Sequence, residues 1–185
     1  MGTRRRAREI ALQALFSMEN SARTGDHLAL FCRTRSVPPA IEPYFKDLVM
    51  GVWVNRDRLD ALIEQFSSNW KVNRMGGVDR NMLRIAVFEM FCCADVPPVV
   101  AINEAIDISK KFGSDESGAF VNGILDSVHN ALQQGVIRFE CRPAGQWVSD
   151  PVPPPRPADP EPESTPFAKT RVKKGLVRRR QIKPI

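Results

Sequence analysis

Histidine and cysteine are scarce in this 185-residue chain: two histidines, His27 and His129, stand far apart, and the four cysteines Cys32, Cys92, Cys93 and Cys141 form no C-x-x-C pair. Structural zinc takes four closely spaced Cys and His ligands, so this inventory argues against a metal site. Adjacent Cys92 and Cys93 close an apolar run and read as reduced thiols that pack. Neither histidine sits in a motif that would make it a base, so no Ser/His/Asp or Cys/His set emerges and catalysis finds no support. Also missing are a Gly-rich phosphate loop, a convincing β alternation and any long hydrophobic run. "IALQALF" is broken by "SMENS", too short for a signal h-region, and nothing approaches the roughly 18 apolar residues of a membrane span. These absences lead us to expect a cytoplasmic, non-catalytic protein without cofactor, metal or membrane association.

Charge is present but unevenly spread. Residues 151–185 hold nine Lys/Arg against three Asp/Glu, and that excess of six equals the formal net charge of the whole chain, +6. Residues 1–150 are therefore neutral, and any basic surface there must come from local clustering. "DPVPPPRPADPEPESTP" has the composition of a disordered, partly polyproline-II linker, and "AKTRVKKGLVRRRQIK" that of a basic tail without an apolar stripe. We expect a helical domain over residues 1–135, an extension of uncertain structure over 136–150 and a disordered tail over 151–185. Phe139 and Trp147 suggest that the extension is a strand or an extended arm packed on the domain.

Within the domain the apolar spacing is helical. Ala7, Ile10, Ala11, Ala14, Leu15 and Met18 form one stripe of a helix over residues 4–22. At about 100° per residue, Leu12 and Phe16 fall on the opposite side, where Arg5 and Arg8 also project. Asp26 is placed to cap a short helix through "HLALFCR". Periodicity resumes from Ile41 to Phe66, with Asn55 as a cap or kink between two helices. Asp79 stands where an N-cap belongs, ahead of "RNMLRIAVFEMFCCA", which is apolar on most sides and reads as the central helix. "DVPP" stops it. Ile102, Ala105, Ile106, Ser109 and Phe112 mark the next helix, closed by Gly113, and its Asp107 and Lys111 are spaced for an i, i+4 pair. Ser114 is expected to cap the last helix, whose stripe is Val121, Leu125, Val128 and Leu132, with Ile124 beside it and Phe120 at its edge. The fold class is all-α, six or seven helices packed helix on helix.

"RRRAREIALQALF" stands out. Cations at a helix N-terminus oppose the macrodipole by roughly 0.3–1 kcal/mol each, so helix stability does not explain Arg4, Arg5, Arg6 and Arg8. Several guanidinium groups at phosphate spacing suit a nucleic-acid backbone, and exposed Phe16 and Phe120 would supply stacking platforms for single-stranded RNA.

This segment, "VDRNMLRIAVFEM" and "DVPPVVAINEAIDISKKFGSDESGAFVNGILD", in this order and spacing, resemble the NusB family of bacterial transcription antitermination proteins over about residues 4–132. The resemblance implies two small helical subdomains and no catalysis. It implies pairing with NusE, a small-subunit ribosomal protein, and binding of the pair to the boxA element of ribosomal RNA transcripts. With NusA, NusG and RNA polymerase the pair suppresses premature termination. Carried onto this chain, the RNA-binding positions are Arg4, Arg5, Arg6, Arg8, Glu116 and Phe120, and the positions at or near the NusE interface are Phe16 and Asp79. Phe16 replaces a frequent tyrosine, which removes a hydroxyl, and Ala119 replaces a frequent basic residue, which removes a phosphate contact. Some relatives self-associate with the arginine surface masked, so a homodimer of the free protein belongs to the expectations. Two other readings stand beside the first. One is an interaction scaffold that keeps the fold but has lost selective boxA binding. The other, the NusB-like module of RNA cytosine methyltransferases, would need a Rossmann-type domain that is not expected after a Pro-rich tail.

Overall fold

A computed structural model describes residues 2–20, 27–67 and 70–142. Six helices occur among them: α1 (Thr3–Glu19), α2 (His27–Arg35), α3 (Glu42–Phe66), α4 (Gly77–Cys92), α5 (Pro98–Phe112) and α6 (Ser117–Gln133), with a 3-10 turn at Val72–Arg74 before α4. No strand is present among the described residues, so the expected all-α class holds. Asp26, Trp147 and the segment 151–185 lie outside the described residues.

Helix α4 is the hub. It packs against α1 and α3 on one side and α5 and α6 on the other, and every residue from Asn81 to Met90 is buried. The predicted stripes of α1 and α6 face this core, and Ile108 and Ala101 add to the expected face of α5. Pro97 and Pro98 start α5 where a missing backbone N–H costs nothing. Gly135, at φ +67°, ends α6. There the Val136 N–H donates to the Ala131 carbonyl and the Gly135 N–H to the Leu132 carbonyl, a Schellman closure that favours glycine at the left-handed position.

Several expectations are corrected. Leu12 is only 2% exposed, because α1 is covered on more than one side by α3, α4 and α2. Asn55 does not separate two helices, since α3 runs unbroken through it. Its buried amide instead donates to the Gly51 carbonyl and to the Arg142 carbonyl (2.8 and 3.1 Å), and its oxygen accepts from the Arg142 N–H. Residues 136–142 are thus an extended arm lying back on the domain. Phe139 meets Phe91, Arg58 donates to the Glu140 carbonyl, and a disulfide joins Cys141 to Cys92. Cys92 is therefore not a reduced packing thiol. Its partner, 49 residues on, is brought to the end of α4 only by the return of the arm. Cys93 remains free, and burial together with the charges of Glu89 and Asp95 pushes its thiol up to about 11.

Asp79 lies inside the first turn of α4, whose N-cap is Gly76. Ser114 does not cap α6 either, since Glu116 holds that position. Its N–H and hydroxyl meet the Ser117 hydroxyl in the turn before the helix.

A second buried polar set ties α1, α3 and α4 together. Arg84, 1% exposed, donates through Nε and an amino group to both carboxylate oxygens of Asp60 (2.6 and 2.8 Å) and also reaches Glu19. Arg80 and Asn81 donate to the same Glu19 carboxylate.

Candidate nucleic-acid and partner interface

The arginines of α1 do not form an open cationic face; each meets a carboxylate. Arg4 donates to the Asp95 carboxylate in the middle of the α4–α5 link and lies 5.1 Å from the Tyr44 ring centre. Arg5 is 3.1 Å from Asp107 and 3.8 Å from Glu104, both on α5. Arg6 pairs with Glu9, which is fully buried and also takes Lys111 at 2.8 Å. The expected Asp107–Lys111 pair is therefore not formed, because both side chains reach across to α1.

Arg8 differs in kind. Its side chain is 3% exposed, and its Nε lies 2.9 Å from both oxygens of Glu89, itself fully buried on α4. Glu104 stands 3.6 Å away and the Tyr44 hydroxyl donates to Glu89. Burial alone would lower the Arg8 pKa, but the hydrogen bond and charge of Glu89 outweigh it and leave the guanidinium above its ordinary value. Burial and the Glu89 charge likewise raise the Tyr44 hydroxyl. The expected projection of Arg8 from an exposed face does not hold. Arg4 and Arg6, with side chains about half exposed, and Arg5 at 29% are the reachable members.

About three turns beyond Arg5 along α1, Phe16 is 46% exposed, as its off-stripe position predicts. A Cβ on Gly77 would come within 2.6 Å of its ring, so glycine at the start of α4 lets the two helices close on each other here. The ring forms one wall of an apolar cavity of about 800 Å3, with Leu12, Leu30, Phe31, Val78 and Phe112 as other walls.

On the other side of the first turn of α4 lies a smaller cleft of about 330 Å3, bounded by Trp70, Arg74, Asp79, Glu116 and Phe120. Asp79, Glu116 and Phe120 are thus brought together, whereas Arg4, Arg5 and Arg8 line a separate hollow with Val96, Pro97 and Val100. Trp70 and Arg74 escaped the sequence reading, because the link before α4 carries no apolar periodicity. An exposed tryptophan set among Lys71 and Arg74 was the available signal.

The chain from Arg5 to Asn130 matches the model of the NusB family. The chain belongs to the NusB family. A transcription antitermination protein NusB of Desulfatibacillum aliphaticivorans is 55% identical over 130 residues, covering 70% of this chain and 91% of that protein. Among solved structures, NusB of T. maritima is 35% identical with a TM-score of 0.62, covering 69% of this chain and 90% of that one. A structure described as antitermination factors NusB and NusE in complex with double-stranded RNA is 26% identical with a TM-score of 0.64, covering 71% and 98%. The NusB match spans α1 through most of α6 and leaves out the arm at 136–142 and everything beyond it.

Proposed function

We propose that this protein is a transcription antitermination factor of the cytoplasm that pairs with NusE and binds boxA RNA of ribosomal RNA transcripts, acting with NusA, NusG and RNA polymerase. The observation that carries this reading is the layout of α1 in a NusB-family chain. Its first turn displays Arg4, Arg5 and Arg6 at the surface, and its fourth and fifth turns offer Phe16 beside an apolar cavity. The arginines suit phosphate oxygens and the cavity suits an apolar protein surface. Glu116 and Phe120 add a carboxylate for base edges and a ring for stacking. Arg8 serves this surface from beneath, by fixing α1 against Glu89.

The test is fluorescence anisotropy of a boxA-type single-stranded RNA against a scrambled control, with and without NusE, for the full chain and for a version ending at Arg142, which keeps the arm. Selective binding that tightens with NusE and survives truncation is expected. Unselective binding that disappears with the tail overturns the reading in favour of a scaffold with a basic tail. Phe16→Asp places a charge against the apolar cavity and is expected to weaken NusE binding at least tenfold. Unchanged affinity in titration calorimetry refutes that interface.

A further inference from the structure

Most of the arginines considered above are already engaged with carboxylates, but Arg74 is not. Among the described residues its guanidinium has one side-chain partner, the ring of Trp70, 5.8 Å from the ring centre. Trp70 is itself 50% exposed. Its backbone is tied down, with the N–H donating to the Ser67 carbonyl and the carbonyl accepting from the Ser67 hydroxyl at 2.6 Å. A large indole held at a fixed place, half in water and carrying an unspent cation, lacks a packing explanation.

Its surroundings supply one. Trp70 and Arg74 share their cleft with Phe120, which is partly exposed, and with the carboxylates of Asp79 and Glu116. Asp79 Oδ1 is buried and receives no hydrogen bond among the described residues. The volume of about 330 Å3 admits flat rings but not an α-helix, whose diameter with side chains is about 10–12 Å. Two carboxylates inside repel a phosphate, so a polyanion entering here must turn its backbone outward, to Arg74, and its bases inward.

We propose that this cleft is a nucleotide-binding step for single-stranded RNA, with one base stacked on Trp70, its neighbour on Phe120, and Arg74 on the phosphate. The assignment rests on the RNA-binding function proposed above and extends the RNA path across the 3-10 turn, to residues outside the arginine-rich motif. Stacking on an exposed aromatic is sequence-tolerant, so Trp70 sets affinity.

The test uses the full chain with NusE and a fluorescein-labelled boxA-type RNA. Trp70→Ala is expected to weaken RNA binding roughly tenfold, within the range for loss of one base stack, while Trp70→Phe retains most of the affinity. Arg74→Gln is expected to lower the slope of log affinity against log salt by about 0.7, one phosphate of a single strand. Affinity for NusE without RNA stays unchanged in all three variants. Wild-type binding matched by Trp70→Ala and Arg74→Gln overturns this inference and leaves the proposed function standing. Loss of NusE affinity in Trp70→Ala makes the cleft a protein contact and also overturns it. A wild type that binds no RNA overturns the function beneath it. Independently of any effect of Trp70→Ala on folding, a Trp147→Phe background leaves buried Trp53 and half-exposed Trp70 as emitters. Quenching on RNA addition there is expected, and its absence overturns the stacking step.

Discussion

Replacing Arg8 by methionine separates the arginines that present a surface from the one that builds it. Arg8 and Glu89 are buried to 3% and 0% exposure and share two contacts at 2.9 Å. Without the guanidinium, Glu89 keeps only the Tyr44 hydroxyl as side-chain donor among the described residues. Breaking such a buried pair from one side costs about 3–5 kcal/mol, because the remaining charge is left desolvated. That is a large share of the 5–15 kcal/mol available to an ordinary domain. Arg5, 29% exposed and facing Asp107 at 53%, belongs to the class of surface pairs worth about 0–1 kcal/mol. Two arginines three residues apart should therefore differ several-fold in their effect on stability.

The assay is urea unfolding of the full chain followed by far-UV circular dichroism, for Arg5→Ala, Arg8→Met, Glu89→Met and the Arg8→Met/Glu89→Met double variant. Each single change at the buried pair should cost about 3–5 kcal/mol. The double variant should recover most of that loss, since methionine fills the space and no buried charge is stranded. An Arg8→Met cost no larger than that of Arg5→Ala, or a double variant no better than the singles, refutes the assignment of Arg8 to the core.

Two further outcomes follow from the buried polar contacts. Asn55→Ala removes both hydrogen bonds to the Arg142 backbone and should accelerate amide exchange at Arg142 at least tenfold under reducing conditions, leaving α3 protected; an unchanged rate refutes the role of Asn55 as the dock of the arm. Burial alone would raise the Glu19 carboxyl, but Arg84 and Arg80 outweigh it and hold it below its ordinary 4.5. A carboxyl with a lowered folded pKa contributes stability that is present above the unfolded value and lost as the pH falls through the folded one. Thermal melts from pH 6 down to about pH 2 should therefore drop less steeply for Glu19→Gln than for wild type, and parallel curves refute the linkage.

The helices were legible because their apolar stripes repeat at 3.6 residues and prolines and glycines punctuate them, as at Pro97, Gly113 and Gly135. What escaped the sequence was polar and long-range. Asn55 looked like a cap because asparagine in mid-helix has little local use; its use lies 87 residues away in Arg142. Cys92 looked like a packing residue because its partner arrives only when the arm folds back. Leu12 and Arg8 were placed on an outer face by helical phase alone, and phase cannot report that α1 is enclosed by three neighbours or that α4 offers a buried carboxylate at that height. Phe16 and Phe120 were placed correctly for the converse reason, since an aromatic off the stripe has no call on the core. Trp70 sits in a link without periodicity, where pattern reading has nothing to count.

The arginine block itself shows why composition misjudges a surface. Four guanidinium groups in five positions suggest a strong positive field, yet Asp95, Glu104, Asp107, Glu9 and Glu89 all lie against them. The local field is close to balanced, in keeping with the neutrality of residues 1–150. For the proposed RNA contact this balance has a physical use. The exposed pairs of Arg4, Arg5 and Arg6 are individually weak, so exchanging a carboxylate for a phosphate costs little in energy, and release of condensed counterions from the RNA supplies the drive. Until that exchange the carboxylates hold the long side chains in place and reduce the rotamer entropy lost on binding. Salt should then weaken RNA binding less steeply than four free arginines would, because each arginine that takes a phosphate frees a carboxylate to gather cations. Arg8, locked to Glu89, contributes nothing to that slope and sets the pitch of the helix that displays the other three.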